Sequence, residues 1–156
     1  MSEPSIVIRP MTMDDYDEVF ALWEHIGGFA LRSVDDSREG IERFLKRNPT
    51  TSIVAVAQDT VVGSILCGHD GRQGSLYHVC VADNYRKHGI GRMMVSSCLS
   101  SLAKEGVSKA TLVAFGSNKG GNAFWERIGW TPRTDLNCYE FKLNRENIIR
   151  YVEQDS

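Results

Sequence analysis

Residues 76–105 restrict what this chain can fold into more than any others. They open on an apolar run, Leu76-Tyr77-His78-Val79-Cys80-Val81, pass through Ala82-Asp83-Asn84-Tyr85, and reach a basic, glycine-bearing segment, Arg86-Lys87-His88-Gly89-Ile90-Gly91. Ile90, Met94, Val95, Cys98, Leu99 and Leu102 recur at three- and four-residue spacing. That period predicts a helix over 91–105 with one face against a sheet, and Gly106 stands where a left-handed cap belongs. A strand feeding a helix in this way exposes the N–H groups of the first helical turn and the positive end of its dipole. With the side chains of Arg86, Lys87 and Arg92 alongside, the pattern predicts an anion site, and phosphate is the anion expected. The common nucleotide loops do not fit: G-x-x-x-x-G-K-[ST] is absent, and G-x-G-x-x-G would need glycine where Met94 stands.

The flanking sequence predicts what surrounds this unit. Ser5-Ile6-Val7-Ile8-Arg9 reads as a short strand ended by Pro10. Thr12 and Asp15 form a capping box for a helix reaching His25, with Tyr16, Val19, Phe20, Trp23 and Ile26 as its buried stripe. Gly27-Gly28 breaks that helix, 29–36 lack a period and read as a loop, and Ser37 caps a second helix that Pro49 stops. Apolar, β-branched runs at 51–58 and 60–68 predict an antiparallel hairpin joined at Asp59-Thr60. A second tight connection at 69–74, with Asp70 and Arg72 as turn residues, leads into a strand over 75–81. Another strand is expected at 110–115. Strand, helix and strand in succession make a right-handed crossover with parallel pairing, so 75–81 and 110–115 are expected side by side in a mixed sheet. A short helix at 121–128 capped by Ser117-Asn118, last-strand material at 138–143, and a helix or frayed tail at 144–153 complete the reading.

Two segments carry a family resemblance. Val81-Ala82-Asp83-Asn84-Tyr85-Arg86-Lys87-His88-Gly89-Ile90-Gly91 fits V-x-[P/D]-x-Y followed by [Q/R]-x-x-G-x-[G/A], and resembles the acetyl-coenzyme A loop of the GNAT superfamily of N-acetyltransferases. The segment from Asn118 through Ala123, Phe124 and Trp125 to Gly129-Trp130 resembles the N-x-x-A-x-x-x-Y-x-x-x-G-F segment of the same superfamily. With the element order, the likeness covers nearly the whole chain. The 69–74 turn and Leu22-Trp23-Glu24 look like the small bacterial YpeA-type acetyltransferases. The resemblance implies one N-acetyltransferase domain over 1–156, which the length suits. It implies an α/β fold with a mixed, largely antiparallel sheet, a central parallel pair splayed open, and flanking helices. It also implies acetyl-CoA as co-substrate, its pantetheine arm pairing with backbone near Val79, Cys80 and Val81 as an added strand would. Pyrophosphate would rest on the amides of His88, Gly89, Ile90 and Gly91, near Arg86, Lys87 and Arg92, with Asn118, Phe124 and Trp125 completing the cofactor site.

The chain departs from the family pattern where the chemistry is done. Trp125 occupies the position commonly held by a tyrosine that protonates the departing thiolate; an indole N–H donates a hydrogen bond but delivers no proton. A thiol of pKa ~8.5 is a fair leaving group unaided, and Tyr139 or water is the candidate substitute. The family's glutamate positions fall on Ser75 and Val113, which leaves Tyr77 and His78 as candidate bases. Strand alternation turns at most one of these into the cleft unless a bulge intervenes. An imidazole titrates near ~6.5, so His78 is the first choice; a His78 hydrogen-bonded beneath the other face, and a Tyr77 packed on a helix, are the alternatives. Cys80, between two valines, reads as buried rather than nucleophilic. The implied reaction is direct attack by an unprotonated amine of a small molecule, amino-acid derivative or protein. An N–H near Val79 or Cys80 would receive the oxyanion, and 27–36, 69–74 and 131–137 would form the acceptor pocket. The competing reading, which Trp125 favours, is a CoA-binding or regulatory module that has lost transfer.

A net charge of -2 and a pI near 6.1 argue against general nucleic-acid binding. Cys67, Cys80, Cys98 and Cys138 form no C-x-x-C pair and lie in apolar segments, which predicts buried free thiols in a reducing compartment. The four histidines make no metal-binding pair, so no metal is expected. The sequence shows neither a secretory leader nor an apolar run of membrane-spanning length, and a soluble, cytoplasmic protein is expected. Related folds often dimerise through late strands, so a homodimer is a candidate assembly.

Overall fold

A computed structural model describes residues 5–152. In chain order the elements are β1 (Ile6–Pro10), α1 (Tyr16–His25), β2 (Phe29–Arg32), α2 (Arg38–Arg47), β3 (Ile53–Ala57), β4 (Thr60–His69), β5 (Gln73–Val81), α3 (Ile90–Lys104), β6 (Lys109–Thr111), α4 (Lys119–Arg127) and β7 (Ile149–Val152). One sheet runs β1-β3-β4-β5-β6, antiparallel throughout except for the parallel β5–β6 pair; β2 and β7 form a separate antiparallel ribbon. The mixed, largely antiparallel architecture is the one expected. Its parallel pair lies at the edge of the five strands.

Two apolar clusters hold the layers. On one face Ile90, Met94, Cys98 and Leu102 of α3 pack against Ile53, Ile65 and Leu76. On the other, Val19 and Trp23 of α1 with Ile41 and Leu45 of α2 cover Val54, Leu66 and Cys80. Burying such a side chain fully contributes about 1.5–3 kcal/mol. The helix ends follow the sequence: the Ser37 hydroxyl accepts from the Gly40 N–H at 3.0 Å, and Gly106, at φ +83°, closes α3 in the left-handed region. The β3–β4 hairpin turns on Gln58 and Asp59, both at positive φ as a two-residue turn of this hand requires. The junction therefore lies one residue earlier than the spacing predicts. Asp70 Oδ1 accepts from the Arg72 and Gln73 N–H groups, each at 2.8 Å, so Asp70 is the turn residue expected.

Five expectations are corrected. Residues 29–36 are not all loop, because Phe29–Arg32 finds a partner in Ile149–Val152, which in turn is neither helix nor frayed tail. The strand expected at 110–115 is only β6, ending at Thr111. The alternation of Tyr139, Phe141 and Leu143 with Glu140 and Lys142 suits a strand, yet 138–143 form none: the segment pairs with no strand among the described residues, and alternation without a partner makes no ladder. Cys138 is accordingly exposed, whereas Cys67, Cys80 and Cys98 are buried free thiols.

The entry to α1 rests on Asp15. Its oxygens accept from the Arg9 guanidinium at 2.8 Å each and from the Thr12 N–H at 2.9 Å. Burial raises the carboxyl's pKa, but the Arg9 hydrogen bond and the Thr12 N–H outweigh it and leave the group more acidic than an ordinary aspartate. A carboxyl that is more acidic folded than unfolded stabilises above its unfolded pKa, and that contribution is lost as pH falls through the folded value. Asp15→Asn is therefore expected to cost about 1–3 kcal/mol at neutral pH, with the gap to the parent closing as pH drops below ~3.9, measured as the difference in Tm across a pH series.

Candidate active site

The site begins where two strands part. β5 pairs with β6 through Gln73↔Lys109, Gly74↔Ala110 and Ser75↔Thr111, and Gln73 Nε2 donates to Thr111 Oγ1 at 3.0 Å beside the first rung. From Leu76 to Val81 that side of β5 carries no partner strand among the described residues. Ala82 N–H donates to the Val62 carbonyl at 2.7 Å, which fixes the alternation of this end of β5. By it, Cys80 faces β4 while Val81 and Val79 turn their peptide groups to the open side. Arg86 Nε reaches the Val81 carbonyl from that side at 3.4 Å. An extended amide chain fits such an edge as an added strand.

Within the same stretch the register with β4 moves from Ser64↔Cys80 to Leu66↔Tyr77, so β5 fits both His78 and Val79 opposite Ile65. This is a β-bulge, and His78 takes φ +50° to make it. The bulge breaks alternation: Tyr77 and His78 both turn to the α1–α2 face. Tyr77 meets Phe44 edge-on at 6.2 Å, the helix-packing role that was one of its readings. His78 lies between Trp23, edge-on at 4.9 Å, and Phe29, stacked at 4.8 Å. Its Nε2 lies 2.9 Å from Asp36 Oδ1, so His78 is hydrogen-bonded on the face away from the α3 layer, the placement given as its alternative reading. The sequence reading missed Asp36; its one local signal was a position just before the Ser37 cap.

The basic segment sits at the C-terminal end of β5. Lys87 and Gly89 both take left-handed backbone, at φ +67° and +76°, and Gly89 is the N-cap of α3. Space in front of Gly89 is open: a Cβ built there meets nothing within 4 Å. The first turn of α3 holds no acidic side chain, so its dipole is uncompensated within the helix. Arg86 is partly engaged by Asp83 at 3.1 Å, an exposed pair worth little in itself. A Cβ on Gly91 would lie 3.3 Å from Phe124 Cζ, so α4 leans on the opening turn of α3. Beside Phe124, Trp125 packs edge-on at 5.1 Å and meets Trp130 at 4.9 Å. Asn118 Oδ1 caps α4 by accepting from the Gly121 N–H at 3.0 Å.

The structure thus gathers Val79, Val81, the 86–92 segment, Phe124 and Trp125 around the open end of β5, with His78 on the opposite face at the bulge. It leaves Tyr139 outside: that residue is 89% exposed on a stretch without regular structure and shares no hydrogen bond or ring contact with the others. Cys80 is sealed under α1 beside Ser64, its thiol pushed up to about 11 by burial, which excludes a ready thiolate. Ser75 stands on the last paired rung, and Val113, beyond β6, is largely exposed.

Against known proteins, residues 13–130 match the Acetyltransferase (GNAT) family. An acetyltransferase of Yersinia pestis is 32% identical over 129 residues, covering 83% of this chain and 90% of its own. Another, of Sodalis glossinidius, is 35% identical over 121 residues, covering 78% and 84%. Among solved structures, the PaiA N-acetyltransferase of Thermoplasma acidophilum in complex with coenzyme A superposes with a TM-score of 0.69, at 16% identity, over 80% of this chain and 89% of that one. The chain belongs to the GNAT family: it is an acetyl-CoA-dependent N-acetyltransferase.

The open loop and unpaired strand edge fit that co-substrate, and the loop affords a direct check. Gly89→Val is expected to fold, because its side chain enters open space, while forcing a β-branched residue into left-handed backbone and filling the room before the amides. Its Kd for CoA by calorimetry should rise at least about tenfold; unchanged affinity in the folded variant would remove the diphosphate from this loop.

Proposed function

We propose that this single-domain enzyme moves an acetyl group to a primary amine of a small molecule, amino-acid derivative or protein, by direct attack in a ternary complex. The observation that carries this reading is the coincidence of three features: the open edge of β5, the bulge that turns His78, and the amide-rich start of α3. When bound, acetyl-CoA supplies the acyl thioester. The amides of 88–91, with Lys87 and Arg92, hold its diphosphate, and the Val79 and Val81 peptide groups receive its amide arm. Val79 N–H, facing the open edge, is a preorganised donor for charge developing on the acyl oxygen, a role worth about 3–4 kcal/mol in comparable sites. His78 accepts the amine's proton. Trp125 offers packing and a hydrogen bond but no proton, so the sulfur departs as thiolate or is protonated by water.

No helix among the described residues is long and apolar enough to cross a membrane, and the net charge of -2 offers nucleic acid no general attraction. The enzyme proposed is cytoplasmic, with acetyl-CoA and an amine as partners, and a homodimer is the assembly that sedimentation checks.

Free-thiol release from acetyl-CoA across a panel of amines, run beside a thermal-shift titration with CoA, tests the reading. Release with at least one amine class is expected. Stabilisation by CoA with no release on a broad panel would favour the CoA-binding module instead. On the best amine, His78→Ala is expected to lower kcat by about 10²–10⁴-fold, and a parental rate would remove His78 as base.

A further inference from the structure

The Asp36–His78 contact carries one step more. We infer that Asp36 is a positioning residue that holds His78 as the Nε2–H tautomer and so makes Nδ1 the nitrogen offered to the acceptor amine. This rests on the reading of His78 as the base.

Both side chains are nearly buried, Asp36 at 6% and His78 at 13% exposure, so the 2.9 Å bond between them is shielded from competing water. Asp36 is itself fixed at three points. Its Oδ2 accepts from the Arg32 N–H at 2.7 Å, its Oδ1 from His78, and its carbonyl from the Tyr16 hydroxyl at 2.7 Å. No arginine or lysine is paired with this carboxylate among the described residues. The imidazole cannot swing to offer its other nitrogen, because Trp23 and Phe29 hold its ring, and Trp23 is pinned by its Nε1–H donating to Ser64 Oγ at 3.1 Å. A carboxylate oxygen only accepts, so the shared proton belongs to Nε2 and Nδ1 keeps its lone pair. Nδ1 has no hydrogen-bond partner among the described residues, and it is not one of the buried atoms left unsatisfied, of which there are none. Nδ1 is therefore the nitrogen left for the acceptor amine.

In the transfer step, the amine nitrogen bonds the acyl carbon, the sulfur leaves with the C–S electron pair, and the proton shed by nitrogen passes to Nδ1. Asp36 remains ionised, facing the imidazolium that results.

The test reads the tautomer directly. Long-range ¹H–¹⁵N correlation spectra of ring-labelled protein, at a pH where His78 is neutral, should show His78 protonated at Nε2. Asp36→Asn, nearly isosteric and able to donate from its amide to Nε2, should populate the Nδ1–H form. It should also lower kcat at least about tenfold while KM for acetyl-CoA stays within about twofold. A wild-type His78 protonated at Nδ1 overturns the inference whether or not the variant folds. So does a folded Asp36→Asn with parental kcat when His78→Ala is impaired, an outcome that leaves the base reading standing. Parental activity in His78→Ala removes the base reading, and this inference with it.

Discussion

The extra residue that β5 fits opposite Ile65 decides which face each side chain of this strand meets. With strict alternation His78 would share a face with Leu76 and point into the apolar layer under α3. One inserted residue turns it to the α1–α2 face and brings Val79 and Val81 to the α3 side. The left-handed backbone this needs costs about 1–2 kcal/mol, offset by the Asp36 hydrogen bond and two ring contacts. The same residue thereby joins the acyl end of the cleft to the layer that would meet the amine.

The parting of β5 from β6 is equally a matter of supply. β6 stops at Thr111, so the peptide groups that β5 turns outward beyond Ser75 have no strand to bond among the described residues. Buried polar backbone must be satisfied, and an edge left open in this way is completed by solvent or by an extended ligand carrying its own amides. α3 starts beyond the end of that edge with no acid in its first turn, so the open edge and the positive end of the helix dipole lie in one line.

What the sequence disclosed and what it withheld divide along the same lines. The α3 loop was legible because its determinants are consecutive: positive charge, glycine for left-handed backbone, then an apolar helical period. The Thr12–Asp15 and Ser37 caps were legible for the same reason. The β2–β7 ribbon was invisible, since each strand is four residues long and its partner lies more than a hundred positions away. Asp36 was missed with it, because its role depends on β2 and β5 meeting. The alternation at 138–143 misled in the other direction: the pattern states that a segment could pair, and only the fold decides whether it does. The bulge had no sequence mark beyond the uncertain facing of Tyr77 and His78.

The ribbon also divides the enzyme's labour. Phe29 belongs to β2, and the adjoining turn is tied to the far end of the chain by the Asn147 carboxamide, which accepts from the Val34 and Asp35 N–H groups, and by the Ser33 hydroxyl, which accepts from the Ile148 N–H. The wall beside His78 is thus tied to the outer parts of the chain, while the basic loop before α3 is built wholly from its middle. On the proposed function, substitutions at either end would remodel the wall that meets the amine and leave the acyl-donor loop at 81–92 untouched.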